Sequence, residues 1–222
     1  MTIQISPHLQ YQGIEYTALN VKSRLFDDHF DPAQYGFSPS PLSSACWAGY
    51  TCFFKVETDI LFLDTVTINE TEDFKPFLFN QPPETRNRFS DMEGKLIYRN
   101  LKKPIIFTGN IFIGKDYISS HYIPRGYESS NLPYKIIIQL VFQHGILIKA
   151  IDHSETMQEL RDYYDSHNRT LPEGKTAILK YLRSLNPKYD LYPAKHEIEN
   201  GLFGSLLRTP GPHAYTKVLR NK

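Results

Sequence analysis

Cysteine and tryptophan are scarce in this chain of 222 residues, which has two cysteines and one tryptophan. Two thiols are too few for a disulfide framework or for a four-cysteine zinc site. The eight histidines are dispersed, and no His-x-His, His-Glu-x-x-His or Cys-x-x-Cys spacing occurs. The Asp-rich segment 27–31 precedes a proline and is typical of a turn. We therefore expect no bound metal and no cofactor.

An excess of one charge is also missing, because 25 Lys and Arg residues face 24 Asp and Glu residues. Dedicated nucleic-acid binders usually carry a strong basic excess or stripe, so nucleic acid is not an expected partner. The 12 glycines are spread singly, without a phosphate-binding glycine run or a Gly-x-Ser-x-Gly elbow. The signatures of nucleotide binding and of α/β-hydrolase catalysis are thus absent.

Long apolar runs are lacking as well, although 41% of the residues are hydrophobic and 14% are aromatic. The longest runs fall far short of the roughly 20 residues that a membrane helix needs. The first residues show no basic stretch followed by an apolar one, as a secretory signal would. We expect a chain that folds around its own core, without a membrane partner, in the cytoplasm.

The first part of the chain, to about residue 152, is rich in β-branched and aromatic residues between turn signals. A hairpin is predicted at Thr58-Asp59, and another at the three-residue connection Gln143-His144-Gly145, where glycine supplies a positive φ. The predicted strands cover residues 11–19, 50–57, 60–68, 95–98, 105–113, 134–142 and 146–151.

After residue 152 the apolar residues recur at the spacing of a helix. Ser154 is a candidate N-cap for a helix over 154–164, and further helices are predicted over 172–185 and 194–207 before a basic tail, 208–222. Strands followed by helices indicate the α+β class. We predict an antiparallel β-rich domain over 1–152, barrel-like or a sandwich, followed by a helical C-terminal region over 153–222 that packs on it.

The segment that contains the only tryptophan has two possible interpretations. In the first, Trp47 fills the core where a strand begins, and Gly49 forms a bulge. In the second, Cys46 is a nucleophile, which requires a lowered thiol pKa and a nearby base such as His121 or His144.

A connector over residues 119–128 concentrates binding side chains between two predicted strands. Tyr122, Arg125 and Tyr127 are residue types that dominate binding hot spots, and connectors often display functional groups. The alternative is a solvated loop whose tyrosines cover the edge of the core. Arg125 has the geometry to hold a carboxylate or phosphate through two hydrogen bonds.

Several of these motifs together resemble an uncharacterised bacterial protein family. The chain carries its Ser-x-x-Cys/Asn-Trp-x-Gly-Tyr element at residues 43–50, its Gly-Tyr connector at 126–127, and its Leu-x-Phe and Gly-x-Leu hairpin at 140–147. The resemblance covers about residues 40–150. It departs at Ala48, where the family has a basic residue, and at Arg125, where it has an apolar one. It implies no activity and no catalytic residue.

These observations favour a non-enzymatic binding protein in the cytoplasm, with a protein as partner. One form of this hypothesis is an immunity-type protein that neutralises a bacterial toxin or effector, using Tyr122, Arg125 and Tyr127 together with Trp47. The alternatives are an enzyme of unrecognised type that uses Cys46 with His121 in acyl or glycosyl transfer, and small-ligand binding in the β-domain.

Overall fold

A computed structural model describes residues 5–19, 30–70, 76–85, 96–119 and 131–168. Within these ranges one α-helix, α1 (Ser154–Ser166), follows a ten-stranded sheet. The strands are β1 (His8–Tyr11), β2 (Ile14–Leu19), β3 (Tyr50–Glu57), β4 (Ile60–Ile68), β5 (Glu84–Thr85), β6 (Leu96–Tyr98), β7 (Lys103–Pro104), β8 (Gly109–Tyr117), β9 (Tyr134–Gln143) and β10 (Ile146–Asp152). The chain is thus α+β and mainly sheet. The predicted helices over 172–185 and 194–207 and the tail lie outside the described residues.

Two-residue turns with positive φ join the hairpins. Thr58 and Asp59 have φ of 47° and 62° between β3 and β4, whose bounds are those predicted. His144 and Gly145 have φ of 51° and 83° between β9 and β10, so the prediction of a three-residue connection is wrong by one residue. Such turns match the twist of the strands that they join.

The first predicted strand, residues 11–19, contains a turn near its start. Gln12 and Gly13 both have positive φ and separate Tyr11, the last residue of β1, from β2, because two successive left-handed residues reverse the chain. A further correction concerns residues 105–108, which precede β8 and are not strand. Local alternation predicts an extended chain but does not locate these two interruptions.

The sheet order is β10-β9-β8-β2-β1-β3-β4-β6-β5, and β7 pairs with β4. All pairs are antiparallel except β1 with β3, so the sheet is mixed and the expectation of a purely antiparallel one is wrong. Parallel pairing needs a long connection between the two strands, and the residues between Tyr11 and Tyr50 supply one.

The two long hairpins meet at their turns. Ile146 pairs with Ile60, the amide of Leu61 donates to the carbonyl of Gly145 at 2.9 Å, and the amide of Leu147 donates to the carbonyl of Asp59 at 2.7 Å. Strand β4 therefore has β3 on one side and contacts β10 on the other. The buried face of this curled path carries the core, which includes Leu9, Phe54, Leu61, Leu63, Ile111 and Leu140.

Helix α1 lies against β9 through Met157, Leu160 and Tyr164, which have the predicted spacing and are buried. The N-cap is His153, and not Ser154 as predicted. The Ser154 hydroxyl instead accepts a hydrogen bond from the amide of Ile137 at 3.1 Å, so it ties the helix to the sheet. In the ranges that the structure describes, no helix combines the length and the apolar character that a membrane crossing requires.

Candidate functional site

The segment before β3 folds into a compact turn that we call the Trp47 turn, residues 42–49. The amide of Cys46 donates to the carbonyl of Ser43 at 3.0 Å, and the amide of Leu42 donates to the carbonyl of Cys46 at 3.0 Å. The amide of Ile5 donates to the carbonyl of Ala45 at 2.8 Å, which ties the turn to the start of the described chain. Its backbone groups are thus largely used within the fold.

Asn69, directly after β4, clamps the turn from the other side. Its side-chain amide donates to the carbonyl of Ser40 at 3.1 Å and to the Ser40 hydroxyl at 2.9 Å, and its backbone amide donates to the carbonyl of Gly49 at 2.7 Å. Gly49 has φ of 72°, and a Cβ there would lie 2.2 Å from the carbonyl oxygen of Ser40. Only glycine fits this close approach.

The turn points its thiol inward and its indole outward. Cys46 is 5% exposed and its Sγ donates to the carbonyl oxygen of Tyr50 at 3.6 Å, whereas Trp47 is 67% exposed. The interpretation of Trp47 as a core residue is therefore wrong. Adjacent side chains in this turn lie on opposite sides, and the small thiol takes the inward position beside the start of β3.

The environment of Cys46 opposes nucleophilic catalysis. Burial raises the pKa of this thiol, and hydrogen bonds with Gly49 and Tyr50 only partly offset the effect. A nucleophilic cysteine needs the reverse, a lowered pKa and access to solvent. Neither cysteine forms a disulfide, and both are buried. Of the two proposed bases, His121 lies outside the described residues, and His144 is exposed in the turn between β9 and β10.

A shallow cavity of about 520 Å³ lies beside the turn. Its lining combines Ala48 of the turn and Tyr50, which follows it, with the segment around a 3₁₀ helix, Pro32–Tyr35. Asp31 caps that helix by accepting a hydrogen bond from the amide of Ala33 at 3.0 Å. Among the described residues that line the cavity, Asp31 alone carries a carboxyl group and none is basic.

Aromatic packing holds the cavity wall in place. The ring of Phe30 stacks on Tyr35 at 5.7 Å between centroids and meets Tyr50 edge-on at 5.8 Å. Tyr35 in turn meets Phe79 edge-on at 5.1 Å. Such ring pairs stabilise by about 0.5–1.5 kcal/mol each beyond the area that they bury. The wall beside Trp47 is therefore formed before any partner arrives.

Of the side chains predicted to bind, the structure describes only Trp47. Tyr122, Arg125 and Tyr127 lie outside the described residues, as does Asp27 to His29 of the Asp-rich segment. Across the described ranges, no group of three or more His, Cys, Asp and Glu side chains is placed to hold a metal ion.

Neither Asn69, which clamps the turn, nor Asp31, which caps the 3₁₀ helix beside it, was predicted from the sequence. No sequence pattern apart from its place at a strand end indicates the role of Asn69, because its partners lie 29 residues earlier in the chain. The role of Asp31 is indicated by the sequence, since an Asp directly before a proline is a typical N-cap pattern.

Comparison of the chain with protein-family models, with curated proteins and with solved structures gives no significant match. The resemblance to a bacterial family thus stays a prediction from short motifs.

Proposed function

We propose that the protein binds another protein and that Trp47 is the central anchor of the contact. The observation that carries the proposal is a single tryptophan, 67% exposed, on a turn whose backbone is held by hydrogen bonds from both sides. Tryptophan is enriched among the few residues that supply most binding energy at protein interfaces. A turn that is already ordered loses little conformational entropy when a partner binds.

The Trp47 turn and the cavity beside it indicate which groups the partner's surface would carry. An apolar recess on the partner would receive the indole, and a basic side chain would reach Asp31, the carboxylate in a cavity that also offers the Gln34 amide. The connector residues Tyr122, Arg125 and Tyr127 belong to the proposal as further contacts. A bacterial toxin or effector in the cytoplasm is the partner class that the sequence predicts, which would make the protein an immunity-type protein.

We also propose that the sheet closes on itself in a barrel-like form. The contact of β10 with β4 supports a barrel-like closure of the sheet, with the pairs around Ile60 and Ile146 as its seam. Such a closure would make the Trp47 turn one of the loops at an end of a rigid scaffold, which is where binding residues are commonly displayed.

The test is capture of a partner by tagged full-length protein from lysate of its source, with matched variants. Trp47→Ala removes the proposed anchor. Phe77→Ala is the control, because Phe77 is an equally exposed aromatic residue, at 68%. We expect one stoichiometric protein with the wild type and with Phe77→Ala, and a loss of affinity of about thirtyfold or more with Trp47→Ala, as at a hot spot. Equal retention by both variants, or no stoichiometric protein with the wild type, would contradict the proposal.

The small-ligand alternative also has a specific observation in its favour, which is a groove on the outer face of the sheet.

A further inference from the structure

A second depression, of about 640 Å³, crosses the outer face of β1, β3, β4 and β6. The strand register places its side chains in rows. His8 is paired with Phe53 and Phe53 with Thr65 in one row, while Thr51 is paired with Thr67 in the next. Phe53 lies on the face opposite to Phe54, which is buried in the core. The half-buried Phe53 ring therefore forms part of the floor of the groove.

A β-bulge gives the groove an additional carboxylate. Phe53 pairs with Thr65 but the next residue, Phe54, pairs with Leu63, so Asp64 is an extra residue in β4. As a result Asp64 and Thr65 both line the groove, and the Thr65 hydroxyl donates to the Asp64 carboxylate at 3.0 Å. Bulges that redirect a side chain are frequent beside binding sites. The irregularity thus provides a hydrogen-bond acceptor next to an aromatic ring.

The charges of the groove are balanced within the protein. His8 lies 2.8 Å from Glu15, Lys55 lies 3.1 Å from Glu57, and Arg99 lies 3.2 Å from Glu84. Each of these basic groups has an acidic neighbour, and Asp64 adds a further negative group, so the groove does not select an anion. The neighbouring Thr51 and Thr67 hydroxyls lie 2.6 Å apart and share one hydrogen bond, and a hydroxyl can both donate and accept.

We propose that this groove binds a short neutral saccharide. Such a ligand presents hydroxyl groups that suit the threonines and Asp64, and an apolar C–H face that suits the Phe53 ring. Ligand sites of about 300–1,000 Å³ typically combine apolar side chains with a few placed polar groups. The site is separate from the Trp47 cavity, because the described residues that line the two depressions are different. It therefore adds a ligand to the protein partner proposed above.

The experiment is saturation-transfer-difference NMR of the full chain with cellotriose, maltotriose and chitotriose, with trigalacturonate as an anionic probe and with inorganic phosphate added as an anionic competitor. We expect saturation transfer to at least one of the neutral sugars and stronger binding of that sugar than of either anion. Absence of transfer to all three neutral sugars, or tighter binding of an anionic probe, would overturn the proposal.

Matched variants locate the binding. Asp64→Asn keeps the shape of the side chain and removes its charge, so we expect the affinity for the bound sugar to fall about tenfold. Phe53→Ala should remove binding, while Phe77→Ala, outside the groove, should leave it unchanged. If Phe53→Ala fails to fold by circular dichroism, Asp64→Asn decides alone. Unchanged affinity in Asp64→Asn, with its thermal midpoint intact, would place the sugar elsewhere and overturn the proposal.

Discussion

The Trp47 turn and the junction of α1 with β9 use polar groups in opposite ways. In the turn, backbone amides and the Asn69 side chain hold the chain so that a large apolar ring faces solvent. At the junction, polar side chains are turned inward and a cation is buried, with Arg161 and His153 each 1% exposed. The first arrangement exposes apolar surface at a cost that a partner can recover, and the second buries polar groups that bond within the protein.

Hydrogen bonds explain why the junction tolerates its buried polar groups. The Arg161 guanidinium donates to the carbonyl oxygens of Leu132 at 3.1 Å and Tyr134 at 2.7 Å, and to the Gln158 side chain at 2.9 Å. His153 Nε2 lies 2.8 Å from the Gln139 side-chain oxygen. Buried polar groups are stable when they are bonded, and costly when a partner is removed. Substitutions at the junction should thus affect stability, and substitutions in the turn should affect binding.

The largest effect on stability is expected at Arg161. Arg161→Met keeps most of the volume but removes the donors to the carbonyls of Leu132 and Tyr134, which should lower the free energy of unfolding by about 3 kcal/mol. Urea denaturation measures it. Arg99→Met is the control, because Arg99 is a largely exposed residue paired with Glu84, and its loss should cost less than about 1 kcal/mol. Equal losses of unfolding free energy in the two variants would contradict the expected difference between the buried and the exposed arginine.

A pH effect of somewhat smaller size is expected from His153. Burial lowers the pKa of its imidazole from 6.5 to about 4. Between these values the unfolded chain binds a proton that the folded chain does not, so the stability contribution is intact above pH 6.5 and is lost as the pH falls towards 4. From pH 7 to pH 5 the loss should be about 2 kcal/mol.

The variant His153→Gln isolates this contribution from those of other groups. Urea denaturation of the wild type and the variant at pH 7 and pH 5 should show a smaller acid loss in the variant by about the same 2 kcal/mol. An identical acid loss in both proteins would show that this imidazole does not titrate as its burial requires.

The contrast between the two regions also separates what local sequence patterns predict from what they do not. The bounds of β3 and β4 follow from alternation and turn residues, and so does the spacing of Met157, Leu160 and Tyr164 on α1. These features depend on neighbours in the chain.

Features that depend on contacts between residues far apart in the chain were not predicted. The parallel pairing of β1 with β3 brings together segments separated by about forty residues, and the clamp of Asn69 on Ser40 spans 29. The outward direction of Trp47 follows from that clamp and from the inward position of Cys46, so hydrophobicity alone predicts the wrong side for the indole. The candidate cavity follows from the same contacts.

A moderate effect is expected when the clamp is removed. Asn69→Ala deletes the side-chain amide bonded to the Ser40 carbonyl and hydroxyl, which should lower stability by about 1–2 kcal/mol. Because the turn loses its support, partner affinity should fall as well, although Trp47 is still present. Stability falling without any change of affinity would show that the clamp does not position the indole.

The smallest stability effect is expected at Trp47 itself. An exposed side chain contributes little to folding, so Trp47→Ala and Phe77→Ala should each change the free energy of unfolding by no more than about 0.5 kcal/mol. Thermal and urea denaturation of the two variants measure this. A cost above that of Phe77→Ala by several-fold would mean that the indole supports the fold rather than a partner.

The most direct measurement of the central claim uses the fact that the chain has one tryptophan. Incorporation of 5-fluorotryptophan gives a single ¹⁹F resonance that reports Trp47 alone, and adding the captured partner changes its surroundings. The account predicts a solvent-exposed resonance in the free protein that shifts on addition of the partner and loses its sensitivity to solvent D₂O. An unshifted resonance that stays sensitive to D₂O in the fully formed complex would contradict it.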